Sequence, residues 1–521
     1  MTSQPDTLEK KRYTRKAVIV FWIAAAILAA GISPYWRIQP DSALYAGMAR
    51  AIASGEGYTF SGEVQYSIPP VTPLYLAGAY KLAQAITPGV SLPGAMFYLN
   101  AFTAAAGMAA LVAAFFLVLE LSGPKRALVA VVLVMTNRQF FEGAIVPLTD
   151  IPYCALSWTA LLFLVRSEKR GGWGNRVAAA ALLALSVMTR VVGVTLVAAV
   201  AAWGLWRLFR GGVGRKRAPM DLLVTLPAVV AAGVFTMIML SGRGGTVNYV
   251  DSAVDARGAG FMFWRTARNL ADTPGYLFES VAGLESAAGL GLAFAALVIA
   301  GAVKLRRGPA FIGGAYMALC ILFVTASHPM RPRYVLPLLP VIYLFAFEGI
   351  AMTRRWVAVR LKSDRAKAAL AAAPRVMTAM VVAINCVYVT REIARNSADD
   401  FYASYAKGYY RDYLSLASLI SHDPAGGAIL ALRYRTICAL TANPAARLPY
   451  LPQQAYRPTV DELRQYAARR GIRTVVIDPD DRESAEMLRA FVLTTAGWSQ
   501  IGQYGRLEYY AHAGGEDEPG G

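Results

Sequence analysis

The sequence predicts a polytopic α-helical membrane protein with about eleven spans, followed by a small C-terminal α/β domain outside the membrane. Three observations lead to this prediction. The 521 residues are 56% hydrophobic and only 16% charged. Apolar runs long enough to cross the roughly 30 Å hydrocarbon core of a bilayer recur along the chain. The region beyond the last run is too polar to span.

Charge and cysteine content argue against several other classes of protein. The formal net charge of +19 would suggest a polyanionic partner in a soluble protein. Here the basic residues lie in short loops between apolar runs, where they orient spans, so nucleic-acid binding is disfavoured. Four cysteines are too few and too scattered for a disulfide framework. Three histidines argue against a histidine-built metal site.

The N-terminus combines a basic segment, residues 1–16, with a first apolar run. This combination is typical of a signal peptide, with Ala29-Ala30-Gly31 as a cleavage site, or of a retained first helix. Both alternatives place the following residues on the outer face of the membrane. We favour the retained helix because further spans follow and the run is long enough to cross.

The apolar runs define a predicted transmembrane domain over residues 17–390. The runs are 17–34, 94–120, 125–137, 147–165, 175–190, 191–206, 220–240, 286–303, 309–326, 334–352 and 370–390. With the N-terminus inside, the basic clusters of alternate loops all fall on one side, as the positive-inside rule requires. We therefore predict a multi-pass protein of the inner or plasma membrane, with a cytoplasmic N-terminus and an extracytoplasmic C-terminal domain.

The first outer loop, residues 35–93, contains a predicted interfacial helix. Pro40 and Asp41 begin it, with Asp41 available as its N-cap, and the run from Gly55 to Gly57 ends it. Asp41 and Tyr45 lie on one face of this helix because they are one helical turn apart. A short helix of this kind lies in the membrane interface rather than across it, so it places a carboxylate just outside the membrane.

The pattern of residues 391–521 predicts a small α/β domain that ends in a disordered tail rich in Gly and Glu. Segments 428–432 and 474–478 are typical of buried strands, and 459–470 is typical of a helix between them. Just beyond the last span, four tyrosines share one helical face as an interfacial belt or domain core. They are Tyr402, Tyr405, Tyr409 and Tyr413.

Ionisable side chains near the ends of the predicted spans are concentrated on the outer side. Such groups are costly at membrane depth and usually face a cavity or a partner. They are Asp41, Glu142, Asp150, Arg190, His328, Arg331 and Arg333. A carboxylate can take the proton of an attacking hydroxyl, and guanidinium groups can stabilise a departing phosphate. The set therefore suits a reaction that joins a hydroxyl to an anionic lipid-linked donor.

Each of these residues also has a structural alternative. Asp41 and Asp150 are placed where they could cap helices, and Glu142 could be a solvated loop charge. Arg331 and Arg333 could anchor a span at the interface. His328 fits a satisfied polar residue better than a ligand, because no second histidine lies near it in sequence.

Four motifs resemble those of the GT-C glycosyltransferases, in particular the branch with protein O-mannosyltransferases and the lipid A aminoarabinose and galacturonic acid transferases. Residues 40–57 look like the first outer loop of that superfamily, and Pro69-Pro70 looks like the segment that follows it. Thr149-Asp150-Ile-Pro152 is similar to the element opening the fourth span. Arg331-Pro-Arg333-Tyr334 begins a run that looks like Arg-Tyr-x-x-Pro-x-x-Pro. The motifs cover roughly residues 15–350 in matching order.

The resemblance implies an inverting transfer of a hexosyl or pentosyl group from a polyprenyl-phosphate donor to a hydroxyl acceptor on the outer face. Asp41 would be the general base or position the acceptor. Asp150 would be the second acidic residue, binding the acceptor or, in some relatives, a divalent metal. No cofactor is certain. The substrate-binding candidates are Tyr45, Glu142, Arg190, Arg331, Arg333 and Tyr334, the two arginines of the run being candidates for the donor phosphate.

One departure from the family pattern precedes Pro69-Pro70. Ser67 and Ile68 stand there, where many members carry a histidine, so any contact that histidine makes is missing. The expected partners are a polyprenyl-phosphate sugar, a lipid, glycan or protein acceptor, and the membrane, with no nucleic acid.

Two other classes of function stay open on the sequence alone. A polytopic transporter or lipid flippase is disfavoured because the polar groups cluster at one end of the spans rather than at the bilayer midplane. A non-catalytic partner in an envelope assembly would use residues 391–521 as its binding domain.

Overall fold

The computed structural model is mainly helical and divides into two compact units. The first unit comprises Met1–Ile32, Tyr66–Thr72 and Asn100–Ala394, and the second comprises Ser33–Gln65, Pro73–Leu99 and Arg395–Gly521. The structure describes residues 5–37, 39–60, 62–66, 68–210, 213–241, 259–284, 288–306, 308–327, 331–396, 412–413, 415–417, 420, 428–431, 434–441, 445–447, 459–479, 482–504 and 506–512. Ser67, His328, Tyr402, Tyr405 and Tyr409 lie outside the described residues.

The helices follow one another with short connections through most of the chain. They are α1 (Pro5–Gly31), α2 (Pro40–Ala53), α3 (Val71–Ile86), α4 (Met96–Ser122), α5 (Pro124–Thr136), α6 (Arg138–Ala144), α7 (Asp150–Arg170), α8 (Trp173–Val187), α9 (Gly193–Arg210), α10 (Val213–Ser241), α11 (Ala259–Ala282), α12 (Ala288–Leu305), α13 (Ala310–Ser327), a 3-10 helix (Pro332–Leu338), α14 (Leu339–Arg360), α15 (Asp364–Asn396), α16 (Tyr434–Thr441), α17 (Val460–Arg470) and α18 (Arg482–Thr494).

Ten of the eleven predicted apolar runs each overlap one of these helices, and the run 334–352 overlaps both the 3-10 helix and α14. Among the described residues, six helical segments are long and apolar enough to cross a membrane. They are Met96–Ser122, Gly193–Arg210, Arg217–Met239, Ala310–Ser327, Pro332–Arg360 and Asp364–Asn396. The predicted helical chain with several membrane-spanning candidates is therefore confirmed, while the number of eleven crossings stays a prediction.

Buried polar side chains join the helices of the first unit around the 3-10 helix. Asn137 ends α5 and caps α6, because its side chain accepts a hydrogen bond from the Phe140 amide at 3.1 Å. The Asn137 amide also donates to the Ser280 carbonyl, and the Ser280 hydroxyl donates to the Pro332 carbonyl at 3.0 Å. Trp158 donates its indole N–H to the Pro337 carbonyl at 2.7 Å. These bonds fix the segment that carries Arg331 and Arg333.

Ion pairs occupy the helix ends that the sequence assigns to the cytoplasmic side. Glu348 pairs with Arg126 and Lys304, and Arg207 pairs with Glu168 and, at 2.7 Å, with Asp221. Some of the basic residues that the sequence assigns to cytoplasmic loops thus also neutralise carboxylates near the ends of helices, where an isolated charge would be costly.

The second unit contains two sheets. Strands β1 (Thr59–Phe60) and β2 (Glu63–Val64) form an antiparallel pair after α2. A sheet of β3 (Ala428–Ala431), β4 (Ala445–Arg447), β5 (Ile472–Ile477), β6 (Trp498–Tyr504) and β7 (Leu507–His512) has the order β4-β3-β5-β7-β6. Its strands β4, β3 and β5 are parallel, and β7 runs antiparallel to β5 and β6.

Local signals in the sequence account for α17 and the strand after it. Thr459 and Glu462 form a capping box that begins the helix, and Gly471, at φ 59°, ends it in the left-handed conformation. Leu463 from α17, Val475 from β5 and Phe491 from α18 share one buried core. These elements lie where strands and a helix are expected; their placement as a domain outside the membrane stays a prediction.

Candidate functional site

Asp41 lies in the first turn of α2 but does not cap it. The N-cap is Gln39, whose backbone N–H donates to the Ser42 hydroxyl at 3.0 Å in a reciprocal capping box. The prediction that Asp41 is available as the N-cap is therefore wrong, because Ser42 supplies the capping hydroxyl. The carboxylate of Asp41 is left for another role, in a position where the positive end of the helix dipole favours an anion.

The Asp41 carboxylate pairs with a guanidinium from the C-terminal part of the second unit. Arg435 Nη1 lies 3.2 Å from Asp41 Oδ1, and the two side chains are 28% and 40% exposed. Arg435 belongs to α16, which is held on α2 by a further hydrogen bond from Arg50 Nη1 to the Ala439 carbonyl at 3.2 Å. Sequence reasoning missed Arg435 because it lies 394 residues from Asp41.

Two tyrosines accompany Asp41 in the second unit. Tyr45 follows Asp41 by one helical turn of α2, as the predicted shared face requires. Its side chain is half-buried. Tyr58 precedes β1 and is also half-buried. Burial, reinforced by the nearby Tyr45, raises the pKa of the Tyr58 phenol well above its usual range. The Tyr58 phenol therefore stays protonated at neutral pH and can act as a hydrogen-bond donor.

In the first unit, Asp150 and Arg190 form an ion pair. Asp150 is the first residue of α7, after the N-cap Thr149, and is only 5% exposed. Arg190 lies between α8 and α9, and its Nη1 donates to Asp150 Oδ1. The prediction thus named both members of one ion pair, and the N-cap of α7 is Thr149 rather than Asp150.

The Pro69-Pro70 motif lies against the turn that carries Arg190. The backbone N–H of Val71, just after the two prolines, donates to the Met188 carbonyl at 3.0 Å. Proline restricts the backbone before and within the pair, which favours an extended approach of the chain. The motif therefore contributes backbone geometry beside the Asp150–Arg190 pair.

Glu142 is not a solvated loop charge. It lies on α6, where it accepts a hydrogen bond from the Tyr388 hydroxyl, and Arg138 Nε lies 3.6 Å from its carboxylate. The Arg138 guanidinium also lies over the Tyr388 ring, 4.2 Å from its centroid. Asn385, one turn before Tyr388, accepts a hydrogen bond from the Arg138 amide at 3.0 Å. A polar residue such as Asn385 inside an apolar span is a signal that could have identified this cluster.

Arg331, Arg333 and Tyr334 lie at the start of the 3-10 helix. Arg331 is its N-cap and is exposed, while Arg333 lies over the Tyr334 ring at 5.3 Å from the centroid. The Pro332 and Pro337 carbonyls of this helix accept hydrogen bonds from Ser280 and Trp158, and these bonds hold its backbone in place. The two guanidinium groups are thus carried by a fixed segment rather than by a free loop.

The structure places some of the predicted site residues in direct contact with one another, while a contact among all of them stays a prediction. Asp41 and Tyr45 belong to the second unit, and the other six predicted site residues belong to the first. Within the first unit, Asp150 and Arg190 are in direct contact, and α6, α7 and the 3-10 helix are packed neighbours, with Gly143 beside Ile151 and Leu336. The convergence of all eight residues on one reaction centre stays a prediction.

The described residues contain no set of side chains suited to bind a divalent metal. No group of three or more His, Cys, Asp or Glu side chains there could hold a metal ion. Asp150 is already neutralised by Arg190, and a neighbouring guanidinium repels a cation. The residues present therefore do not fit a metal at Asp150.

No family model matches the chain, and no curated protein matches its sequence. Solved structures do match. ArnT from Cupriavidus metallidurans bound to undecaprenyl phosphate is 14% identical with a TM-score of 0.58, over 95% of this chain and 98% of that chain. The Archaeoglobus fulgidus oligosaccharyltransferase AglB, in complex with an inhibitory peptide and a dolichol-phosphate, is 13% identical with a TM-score of 0.60, over 98% and 75%.

A third match is the mycobacterial arabinofuranosyltransferase AftD, at 15% identity and a TM-score of 0.51, over 96% of this chain and 42% of that chain. All three are membrane glycosyltransferases of the GT-C superfamily. At these identities the likeness concerns the fold, and it confirms the resemblance that the four motifs indicate. The chain therefore has the fold of the GT-C membrane glycosyltransferases.

Proposed function

We propose that this protein transfers a sugar from a polyprenyl-phosphate donor to a hydroxyl acceptor at the outer face of the membrane. The observation that carries the proposal is the match over 95% of the chain to a transferase bound to undecaprenyl phosphate. The second match, to an enzyme in complex with a dolichol-phosphate, supports the same class of donor. The motif order in the sequence supports it independently.

The proposed reaction is an inverting displacement at the anomeric carbon. The acceptor hydroxyl oxygen attacks that carbon from the face opposite the phosphate, and a new carbon–oxygen bond forms. The bond between the anomeric carbon and the phosphate oxygen breaks, and its electron pair leaves with the polyprenyl phosphate. The hydroxyl proton passes to the Asp41 carboxylate, which is 40% exposed and so can meet a substrate.

The remaining candidates take binding roles. Arg331 and Arg333, at the start of the fixed 3-10 helix, would pair with the donor phosphate and stabilise the charge that grows on it during departure. The Asp150–Arg190 pair and Glu142 would bind and orient the acceptor. Tyr45 and Tyr334 would contact the sugar or the acceptor through their rings and hydroxyls.

The proposal includes a topology. The eleven apolar runs would cross the membrane, with residues 1–16 in the cytoplasm. The helix α2 and residues 391–521 would then lie on the extracytoplasmic side, where a lipid-linked donor of this class presents its sugar. The positive-inside distribution of basic loop residues supports this orientation.

The test is a transfer assay in membranes supplied with radiolabelled polyprenyl-phosphate sugars. We expect label to move to an acceptor with the wild-type chain, and Asp41→Asn to lower transfer by about 100-fold or more, the scale of a general base. Asp364→Asn is the matched control, because Asp364 is 97% exposed at the start of α15 and pairs only locally with Lys367 in the described contacts. It should leave transfer unchanged.

Two outcomes contradict the proposal. Full transfer by both Asp41→Asn and Asp150→Asn would remove the proposed chemistry from these residues. No transfer from any donor, by protein shown to be folded and inserted, would favour a transporter, flippase or assembly role. A flippase would move labelled lipid between leaflets without forming a new glycosidic bond.

A further inference from the structure

We propose that Arg435, from the C-terminal region of the chain, is a positioning residue that holds the Asp41 carboxylate for the transfer reaction. This inference rests on the proposed function of Asp41. It assigns residues 391–521 a part in the catalytic machinery, through the helix α16, in addition to any binding of the acceptor.

The first step is that α16 is seated firmly against α2. Thr436, Ile437 and Ala439 are each at most 1% exposed, so this face of α16 is buried. A Cβ built on Gly47 of α2 would lie 3.7 Å from the Ala439 Cβ and 2.5 Å from the Phe60 ring. The Ala439 distance is an ordinary van der Waals contact between α16 and α2, whereas the Phe60 ring of β1 is what leaves no room for a side chain at Gly47.

The second step is that polar contacts fix the register of the two helices. Arg50, nine residues after Asp41 on α2, donates from Nη1 to the Ala439 carbonyl at 3.2 Å. Arg435, one turn before Ala439 on α16, reaches back to Asp41 Oδ1 at 3.2 Å. Each helix thus supplies one guanidinium to the other. The two bonds use positions one turn apart on α16 and well separated on α2, so together they oppose sliding of one helix along the other.

The third step is that the Asp41–Arg435 pair is too exposed to be explained by stability alone. Ion pairs between partly solvated side chains contribute little to the free energy of unfolding, because water screens the attraction and two flexible side chains lose freedom. With side chains 40% and 28% exposed, this pair belongs to that class. The same exposure leaves the carboxylate accessible to a substrate hydroxyl.

The consequence for catalysis is orientation. A base must lie within hydrogen-bond reach of the proton it abstracts, and small displacements reduce the rate strongly. Arg435 restricts the rotation of the carboxylate by holding one of its oxygens, and the cap of α2 is made by Gln39 and Ser42 rather than by this carboxylate. A lysine could keep the charge but not the planar geometry of the guanidinium.

The experiment compares Arg435→Gln and Arg435→Lys with the wild-type chain in the transfer assay. We expect Arg435→Gln to lower kcat about 10- to 100-fold while KM for the donor changes by less than about twofold. Arg435→Lys should recover part of kcat, and neither variant should change the thermal unfolding midpoint. The matched control is Arg482→Gln, since Arg482 is 90% exposed and pairs at 2.8 Å with Glu486 one turn further along α18.

The outcomes separate this inference from the proposed function. If wild type is active, Asp41→Asn inactive and Arg435→Gln fully active, the inference is wrong while the proposed function stands. If Asp41→Asn is also active, the proposed role of Asp41 fails. If Gln and Lys variants lose activity equally and unfold at a lower temperature, Arg435 has a structural role only, and the inference is overturned.

Discussion

The sequence predicts Asp150 and Arg190 separately as site residues, and in the structure they form one ion pair of the first unit. Asp150 is buried, and the side chain of Arg190 is 19% exposed, so neither charge is well solvated. Removing one member of a poorly solvated ion pair is strongly destabilising, whereas replacing both members with apolar groups is often neutral. This asymmetry allows the structural role of the pair to be separated from its role in transfer.

We expect Asp150→Asn to destabilise the protein by about 3 kcal/mol, because it removes the carboxylate charge that pairs with the partly buried Arg190 guanidinium. The double variant Asp150→Leu/Arg190→Met should recover most of that loss in a thermal unfolding measurement in detergent. Transfer activity should stay lost in both. Recovery of activity in the double variant would show that the pair serves folding only.

A second expectation at the residue scale concerns acid pH. In the sheet of the second unit, Arg489 Nε donates to both carboxylate oxygens of Glu508, at 3.1 Å each. This hydrogen bonding holds the pKa of the Glu508 carboxyl below its usual value. A depressed carboxyl pKa stabilises the fold above the unfolded pKa of about 4.3, and the contribution is lost as the pH falls through the folded pKa.

The rate of proteolysis within residues 459–512 is the measurement that checks whether the stability contributed by Glu508 is lost as the pH falls. At pH 7, Glu508→Gln should be cleaved faster than wild type, and the difference should shrink as the pH falls below about 4.3. Glu486→Gln is the control, because the side chains of Glu486 and its partner Arg482 are 60% and 90% exposed. A difference between Glu508→Gln and wild type that grows toward acid pH would contradict the expectation.

At the scale of the elements, α12 and α14 approach each other more closely than any side chain would permit. A Cβ on Gly301 of α12 would lie 1.9 Å from the Phe345 carbonyl oxygen, and one on Gly349 of α14 would lie 2.0 Å from the Leu297 carbonyl oxygen. The obstructing atoms are backbone, so no rotamer change can relieve the clash. Small residues allow membrane helices to come this close and gain packing contacts.

Gly301→Ala and Gly349→Ala should each separate the two helices and cost about 1–3 kcal/mol, the scale of overpacking in a tight core. Gly233→Ala in α10 is the matched helical control, because no atom lies within 4 Å of a Cβ built there. It should be neutral or slightly stabilising, since alanine favours a helix over glycine. Equal unfolding midpoints for all three variants in detergent would contradict this packing.

The whole molecule combines a helical unit rich in membrane-spanning candidates with a second unit that contains both α2 and the C-terminal sheet. In sequence, α2 and that sheet are separated by most of the apolar helices. The proposed topology has an odd number of crossings, and an odd number would place residues 391–521 on the same side of the membrane as the first outer loop.

Thiol labelling of intact cells tests this topology. In a chain whose four cysteines have been replaced by serine, Arg482→Cys should react with a membrane-impermeant maleimide, because Arg482 is exposed in the C-terminal region. Ser363→Cys, between α14 and α15, should react only after the cells are opened, as a predicted cytoplasmic position. Labelling of both positions from the same side would refute the eleven-span order.

The sequence by itself determined the class of fold, the helical segments and most of the candidate residues. Those signals are local, because an apolar run must match the thickness of a bilayer and a basic loop must stay on one side of it. Tertiary structure decided which side chains meet. Glu142 with Tyr388 and Asp41 with Arg435 are separated by 246 and 394 residues. Such pairs depend on how whole helices pack, which no local pattern encodes.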